Sequence, residues 1–263
     1  MSDRDLERKV AIVTGGSKGM GHAAALRLAA GGARVVFCSD DAPSIQGALA
    51  DAPAEVEGIE ANVARSADME RLIGETVRRH GGLDILVNAA GIQRYGTVVD
   101  TSEELWDEVM DVNLKGVFLA SKYAIPQMER RGGGSIINIA SVQAYASQTN
   151  VAAYTTTKGA ILALTRAMAL DHAAAKIRVN AICPASIDTP MLRWAADLWK
   201  GDKTQDEMIE MWGQGHPVGR VGQAKEIAEL AAFLASDRCP FMTGADLKVD
   251  GGVMAKLGIV LPD

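Results

Sequence analysis

Tyr154 and Lys158 stand four residues apart in the stretch Ala152-Ala153-Tyr154-Thr155-Thr156-Thr157-Lys158-Gly159-Ala160-Ile161. Ile161, Leu164 and Met168 recur with helical period beyond them, so the phenol and the amine share one helix face. A free phenol titrates near pH ~10, and an adjacent positive charge favours its anion. A phenol tuned toward neutrality can give or take a proton at working pH. On its own the pair is an ordinary helix-surface contact. It has company, however. Thirteen residues before Tyr154, Ser141 closes the apolar run Ile136-Ile137-Asn138-Ile139-Ala140, which reads as a buried strand ending in a hydroxyl.

Near the N-terminus, Thr14-Gly15-Gly16-Ser17-Lys18-Gly19-Met20-Gly21 follows the apolar run Val10-Ala11-Ile12-Val13. A glycine segment that leaves a strand and opens a helix is the setting of a phosphate loop. Gly15 allows the tight turn, Gly19 and Gly21 allow close backbone approach, and the helix N-terminus can hold a pyrophosphate. Between these segments lie Asn88-Ala89-Ala90-Gly91 and Val112-Asn113-Leu114-Lys115-Gly116.

In this order and spacing the chain resembles the short-chain dehydrogenase/reductase family from about Lys9 to Gly252. The resemblance implies an NAD(P)-dependent enzyme acting on a secondary alcohol or ketone. It makes Tyr154 the general acid/base and has Lys158 lower the tyrosine pKa and bond the nicotinamide ribose. Ser141 orients the substrate oxygen. Asn113, at a helix irregularity, holds a water linked to Lys158. Cofactor contacts fall on Gly15, Ser17, Lys18, Gly19, Met20, Gly21, Ser39, Asp40, Asn62, Val63, Asn88, Ala90 and Gly91, and on Pro184, Ile187 and Thr189 of a nicotinamide-holding loop. Asn62 stands where the family usually has an aspartate facing the adenine, and its carbonyl oxygen can still accept that bond. Ala89 replaces the second asparagine of the family's Asn-Asn-Ala-Gly. Ala185 replaces a usual glycine beside the substrate. The resemblance also implies a homotetramer.

NAD and NADP are opposed by residues of this chain. Lys18 suits NADP, whereas Asp40 and Asp41 would both meet a 2′-phosphate, which favours NAD. Substrate contacts are expected from Ser141, Gln143, Gln148, Ala185 and Trp194, with Asn150 and Arg94 nearby. The polar groups following Ser141 suit a polyhydroxy substrate, such as a sugar or polyol, better than a sterol. Trp194, Leu198 and Trp199 also read as ordinary lid or core packing. Three alternatives stay open: a 3-oxoacyl or other carbonyl reductase using NADPH, an epimerase or dehydratase, and a nicotinamide-binding scaffold without turnover.

These residues need a frame to hold them. Strand-like and helix-like segments alternate: strands at 9–13, 34–38, 56–60, 85–88, 135–140, 177–183 and 247–249. Helices fall at 21–30, 42–50, 66–80, from 102 toward 127 with breaks, 152–174 and 225–235, with an amphipathic stretch at 191–212. Ser66 and either Thr101 or Ser102 are candidate helix caps. Alternation of this kind implies one doubly wound α/β domain over residues 1–263, a parallel sheet with helices on both faces. A lid is expected at about 190–213. Ligands bind such sheets at the carboxyl ends of the strands, where the motifs fall.

The chain has 263 residues with 48% hydrophobic content, ample for a core, and a net charge of −6 with no basic cluster, which argues against nucleic-acid binding. Cys38, Cys183 and Cys239 lack metal-ligand spacing, so no metal is expected. The charged start Met1–Lys9 has no apolar signal core, and no run is long enough to span a membrane, so the expectation is a cytoplasmic protein.

Overall fold

The computed structural model describes residues 5–257; Met1–Arg4 of the charged start lie outside that range. The elements run β1 (Val10–Thr14), α1 (Gly19–Ala30), β2 (Arg34–Ser39), α2 (Ala42–Leu49), β3 (Val56–Glu60), α3 (Ser66–His80), β4 (Ile85–Asn88) and α4 (Glu103–Met110). A π turn (Asp111–Lys115) leads into α5 (Gly116–Arg131), β5 (Gly134–Ile139), α6 (Ala152–Asp171) and β6 (Ile177–Pro184). The chain continues through β7 (Ile187–Asp188), α7 (Pro190–Trp199), α8 (Gln205–Gly213), β8 (Gly222–Gln223), α9 (Ala224–Ala235) and β9 (Asp246–Val249).

Seven strands form one parallel sheet in the order β3-β2-β1-β4-β5-β6-β9. The winding direction reverses between β1 and β4, which opens a crevice above their carboxyl ends. β1, β4 and residues 135–139 of β5 are buried along their lengths, as expected for strands covered on both faces. On one face α1 and α9 interlock through small residues: Ala24, Ala25 and Leu28 share a core with Ile227, Ala228 and Ala231. The other face is covered through Met69, Leu72 and Ile73 of α3 and Leu119, Ala120 and Ala124 of α5.

Several local expectations change. Ser66 is not a cap. It is the first residue of α3, its hydroxyl bonds the Tyr123 hydroxyl at 2.7 Å, and the cap position falls on Arg65. Ser102 does cap α4, accepting from Leu105 N. Gly81 ends α3 in the left-handed region. The amphipathic stretch becomes two helices, α7 and α8, the second opened by a capping box of Thr204 and Glu207. The two-residue pair β7-β8 was not expected, because strands that short carry no periodicity.

Candidate active site

The first component is a cleft of about 420 Å³ over the crevice between β1 and β4. Its walls include Gly15, Ser17, Lys18, Gly19, Met20 and Gly21 from the turn into α1 and its first residues, with Ser39 at the end of β2 and Asp40 after it. Asn62, Val63, Ala90, Gly91 and Thr189 of the expected set also line it. The turn is closed by steric need. Gly15 has φ +65°, and a Cβ there would stand 2.7 Å from the Ala90 Cα. A Cβ on Gly21 would stand 2.3 Å from the Gly15 carbonyl oxygen. Side chains at these positions would collide with backbone, so the glycines let the turn pack closely on the end of β4 and on the start of α1.

Lys18 and Asp41 face each other at this cleft. The Lys18 ammonium donates to the Asp41 carboxylate at 3.1 Å, and this bond holds the Asp41 carboxyl below its ordinary range. Ser44 ties the two segments further, donating to Ser17 Oγ at 3.0 Å. Asn62 Oδ1 accepts from Ala64 N at 2.9 Å, leaving one lone pair for a ligand.

Asn88 does not line the cleft. It is buried at the end of β4, where its amide donates to Asn138 Oδ1 at 2.8 Å, and Asn138 donates to Thr165 at 2.8 Å. The nicotinamide-loop residues are also engaged in holding structure. Thr189 is the N-cap of α7, accepting from Leu192 N, and its hydroxyl donates to the Ile187 carbonyl at 3.2 Å. Pro184 and Ile187 are buried strand residues outside the cleft lining.

Next to the cleft, Ser141, Tyr154, Lys158 and Asn113 converge, all buried. The Lys158 ammonium lies 5.3 Å from the Tyr154 ring centroid and donates to the Ile139 carbonyl at 3.0 Å. Asn113 sits in the π turn. Its amide exchanges two bonds with Ile92, accepting from Ile92 N at 2.8 Å and donating to Ile92 O at 2.9 Å. It also donates to Thr157 Oγ1 at 3.3 Å, and Thr157 donates to the Tyr154 carbonyl. A Cβ placed on Gly91 would lie 3.4 Å from Asn113 Oδ1 and 3.8 Å from Lys158 Nζ, so the glycine leaves space between those two groups.

Burial acts on both central groups. It pushes the Tyr154 phenol up to about 12, although a hydrogen bond from Ser141 pulls the other way and the Tyr95 phenol adds to the rise. Burial also brings the Lys158 amine down to about 8. In the cofactor-free protein burial thus opposes the charged form of each group.

Toward solvent, Gln143 and Gln148 bond each other at 3.1 Å, and Thr155 donates to Gln143 Oε1 at 3.1 Å. Ser141 Oγ accepts from Gln143 N at 3.1 Å, which links this polar patch to the serine. Ala185 N donates to the Val249 carbonyl at 3.2 Å. Trp194 stacks on Tyr95 with centroids 5.9 Å apart. Arg94 reaches the cleft but is held by Glu108 through two bonds of 3.1 and 2.7 Å. Tyr95 and Glu108 were not anticipated. Tyr95 lies seven residues past the end of β4, so the strand-end rule alone points toward its loop. Among the described residues no cluster of His, Cys, Asp or Glu is arranged to hold a metal ion, and all three cysteines are buried and free.

Comparison with known proteins finds relatives over nearly the whole chain. A family model described as enoyl-(acyl carrier protein) reductase matches residues 15–254. Dehydrogenase/reductase SDR family member 4 of Oryctolagus cuniculus is 38% identical over 256 residues, covering 96% of each chain. The 2-(R)-hydroxypropyl-CoM dehydrogenase of Xanthobacter autotrophicus is 37% identical over 257 residues, covering 94% of this chain and 99% of its own. The ligand-free aldohexose dehydrogenase of Thermoplasma acidophilum superposes with a TM-score of 0.92 at 40% identity, covering 99% of both chains.

Proposed function

The chain belongs to the short-chain dehydrogenase/reductase family, and on that premise we propose that it interconverts a polar secondary alcohol, such as a sugar or polyol, and the matching ketone with NAD. It is an NAD(P)-dependent oxidoreductase. One observation supports this reading of its site: Tyr154, Ser141, Lys158 and Asn113 are buried beside the glycine-lined cleft, with Asn113 Oδ1 and Lys158 Nζ both close to Gly91 of its wall.

The cofactor, when bound, supplies a nicotinamide ring carbon that accepts or returns hydride. Every other part of the reaction falls to side chains. Ser141 donates to the substrate oxygen and fixes its direction. Tyr154 takes the hydroxyl proton during oxidation and returns it during reduction. Lys158, when protonated, places positive charge beside the phenol and favours its anion. Asn113 and Gly91 leave room for a water through which the proton can pass on.

NAD preference rests on the Lys18–Asp41 bond. A lysine already held by a carboxylate is a poor partner for a 2′-phosphate, and Asp40 adds a second negative charge beside it. The polyhydroxy reading draws on the Gln143, Gln148 and Thr155 cluster, and on the similarity to an aldohexose dehydrogenase. We take residues 1–263 as one domain with a lid over about 190–213. We further take the protein to be a cytoplasmic homotetramer; the exposed Phe118 and Leu170 on α5 and α6 support subunit packing. No helix among the described residues is long and apolar enough to cross a membrane.

The test is a screen of aldoses, cyclic and acyclic polyols and simple secondary alcohols against NAD and NADP, with cofactor binding measured in parallel. Turnover with NAD on a polyol is expected. Saturable cofactor binding without turnover on any alcohol or ketone would replace the enzyme reading with the scaffold.

A further inference from the structure

Three aromatic side chains meet at the outer rim of this site. Tyr95 comes from the loop after β4, and Trp194 and Trp199 come from α7. Trp194 lies nearly parallel to the Tyr95 ring, with an interplanar angle of 24°. Trp199 meets it edge-on, at 5.4 Å and 80°. Both separations fall in the range of attractive aromatic pairs.

The two sides of this cluster are held differently. Tyr95 stands on a fixed loop. Ile92 is bonded in both directions to Asn113, and Gly96 pairs with Val151 through bonds to Asn150 O at 2.7 Å and from Ala152 N at 3.3 Å. The loop is thus fastened to the π turn and to the first turn of α6, the helix that carries Tyr154. The tryptophans belong to the helix of the lid, which buries Ala195 and Ala196 instead. Trp194 remains 40% exposed and Trp199 51% exposed. Large aromatics left half in water beside a cleft mark a surface that a ligand covers.

The Tyr95 phenol is also close enough to act electrostatically on Tyr154. A substrate whose oxygen reaches Ser141 and Tyr154 therefore extends toward Tyr95. Its other flank is the polar patch of Gln143, Gln148 and Thr155. The negative faces of aromatic rings attract C–H groups that carry partial positive charge. A saturated ring presents such groups as a rigid face, whereas an open chain must surrender rotors to do so.

We propose that Tyr95, Trp194 and Trp199 form a substrate platform that selects carbinols carried on a saturated ring. The proposal rests on the hydride-transfer reading of the site. It adds Tyr95 and Trp199 as determinants of specificity.

The experiment compares kcat and KM for glucose in its pyranose form, cyclohexanol and butan-2-ol, in the full-length enzyme saturated with NAD. The variants are Tyr95→Leu, Tyr95→Phe and Trp194→Ala. Wild-type enzyme should favour both ring substrates over butan-2-ol. Tyr95→Leu and Trp194→Ala should lower the ring-to-chain ratio of kcat/KM by about tenfold, mostly through KM, as expected for lost binding. Tyr95→Phe, which keeps the ring, should retain most of the ratio. An unchanged ratio in both truncating variants, with all three alcohols still oxidised, would overturn the platform and leave the hydride-transfer reading intact. If wild-type enzyme oxidises no alcohol, that reading fails first. Tryptophan emission of the NADH complex then decides the platform: a saturable response to cyclohexanol, lost in Trp194→Ala, supports it, and no response overturns it.

Discussion

The order in which Lys158 and Tyr154 lose their protons gives a sharp test. In the cofactor-free protein the amine titrates at about 8 and the phenol at about 12. At pH ~8 only about one phenol in 10⁴ is then ionised, far too few for a working base. A unit positive charge about 5 Å from the phenolate oxygen contributes about 3 kcal/mol at an effective dielectric near 20, or roughly two pKa units. Cofactor binding that favours protonated Lys158 should therefore lower the phenol by about two units. The assay is near-ultraviolet phenolate absorbance during a pH titration, with and without saturating NAD, in wild type and Tyr154→Phe. One tyrosine should move down on NAD binding, and Tyr154→Phe should lack that transition. The same variant should lose about 10²–10⁴-fold in turnover. Its stability should fall by only about 1 kcal/mol, because Ser141 keeps its Gln143 and Pro184 partners. An identical wild-type titration with and without NAD, or a Tyr154→Phe enzyme that keeps most of its rate, would refute this account.

Other outcomes follow from the same geometry. Lys158→Met should raise Tm by several degrees at pH ~7. The buried amine titrates at about 8 folded against 10.5 unfolded, so the unfolded chain binds the extra proton between those values and wild-type stability rises with pH there. The penalty below that window is about 3 kcal/mol, only partly offset by the bond to Ile139; calorimetry across the window checks it, and a lower Tm at neutral pH would count against it. Asp41→Asn should release Lys18 and shift kcat/KM toward NADP by about tenfold, equivalent to ~1.4 kcal/mol. No shift would mean that Lys18 does not reach the 2′-phosphate. Hydrogen exchange across 190–213 should slow when NADH and substrate bind, since lids are drawn from the less stable parts of a fold, and equal protection in both states would remove the lid.

The sheet was legible because its strands are buried on both faces. Val10–Val13 and Ile85–Val87 are continuous apolar runs, Ile136–Ile139 is broken only by Asn138, and glycines after α1, α3 and α5 mark their ends. Asn113, Ser141, Tyr154 and Lys158 could be named together because their order and spacing resemble the family's motifs. Other features were hidden for physical reasons. Ser66 carries the right chemistry for a cap, but a tertiary partner, Tyr123, claims its hydroxyl. The Lys158 effect on Tyr154 depends on burial, which adjacency on a helix face does not report. Tyr95 meets Trp194 across about a hundred residues of sequence, a contact no local period can reveal. Lys18 and Asp41 read as rival signals until the structure put one in the grip of the other.

The π turn at Asp111–Lys115 sets a rule about chain length. It carries one residue more than a regular helix needs to join α4 to α5. Deleting any one of its five residues would let the hydrogen bonds return to ordinary spacing, and the rod would become more regular. The healed helix would keep α4 and α5 in line but close the widened backbone that presents Asn113 to Ile92. A deletion that improves local geometry would thus dismantle the site, so in this segment the number of residues is under stricter constraint than most of their identities.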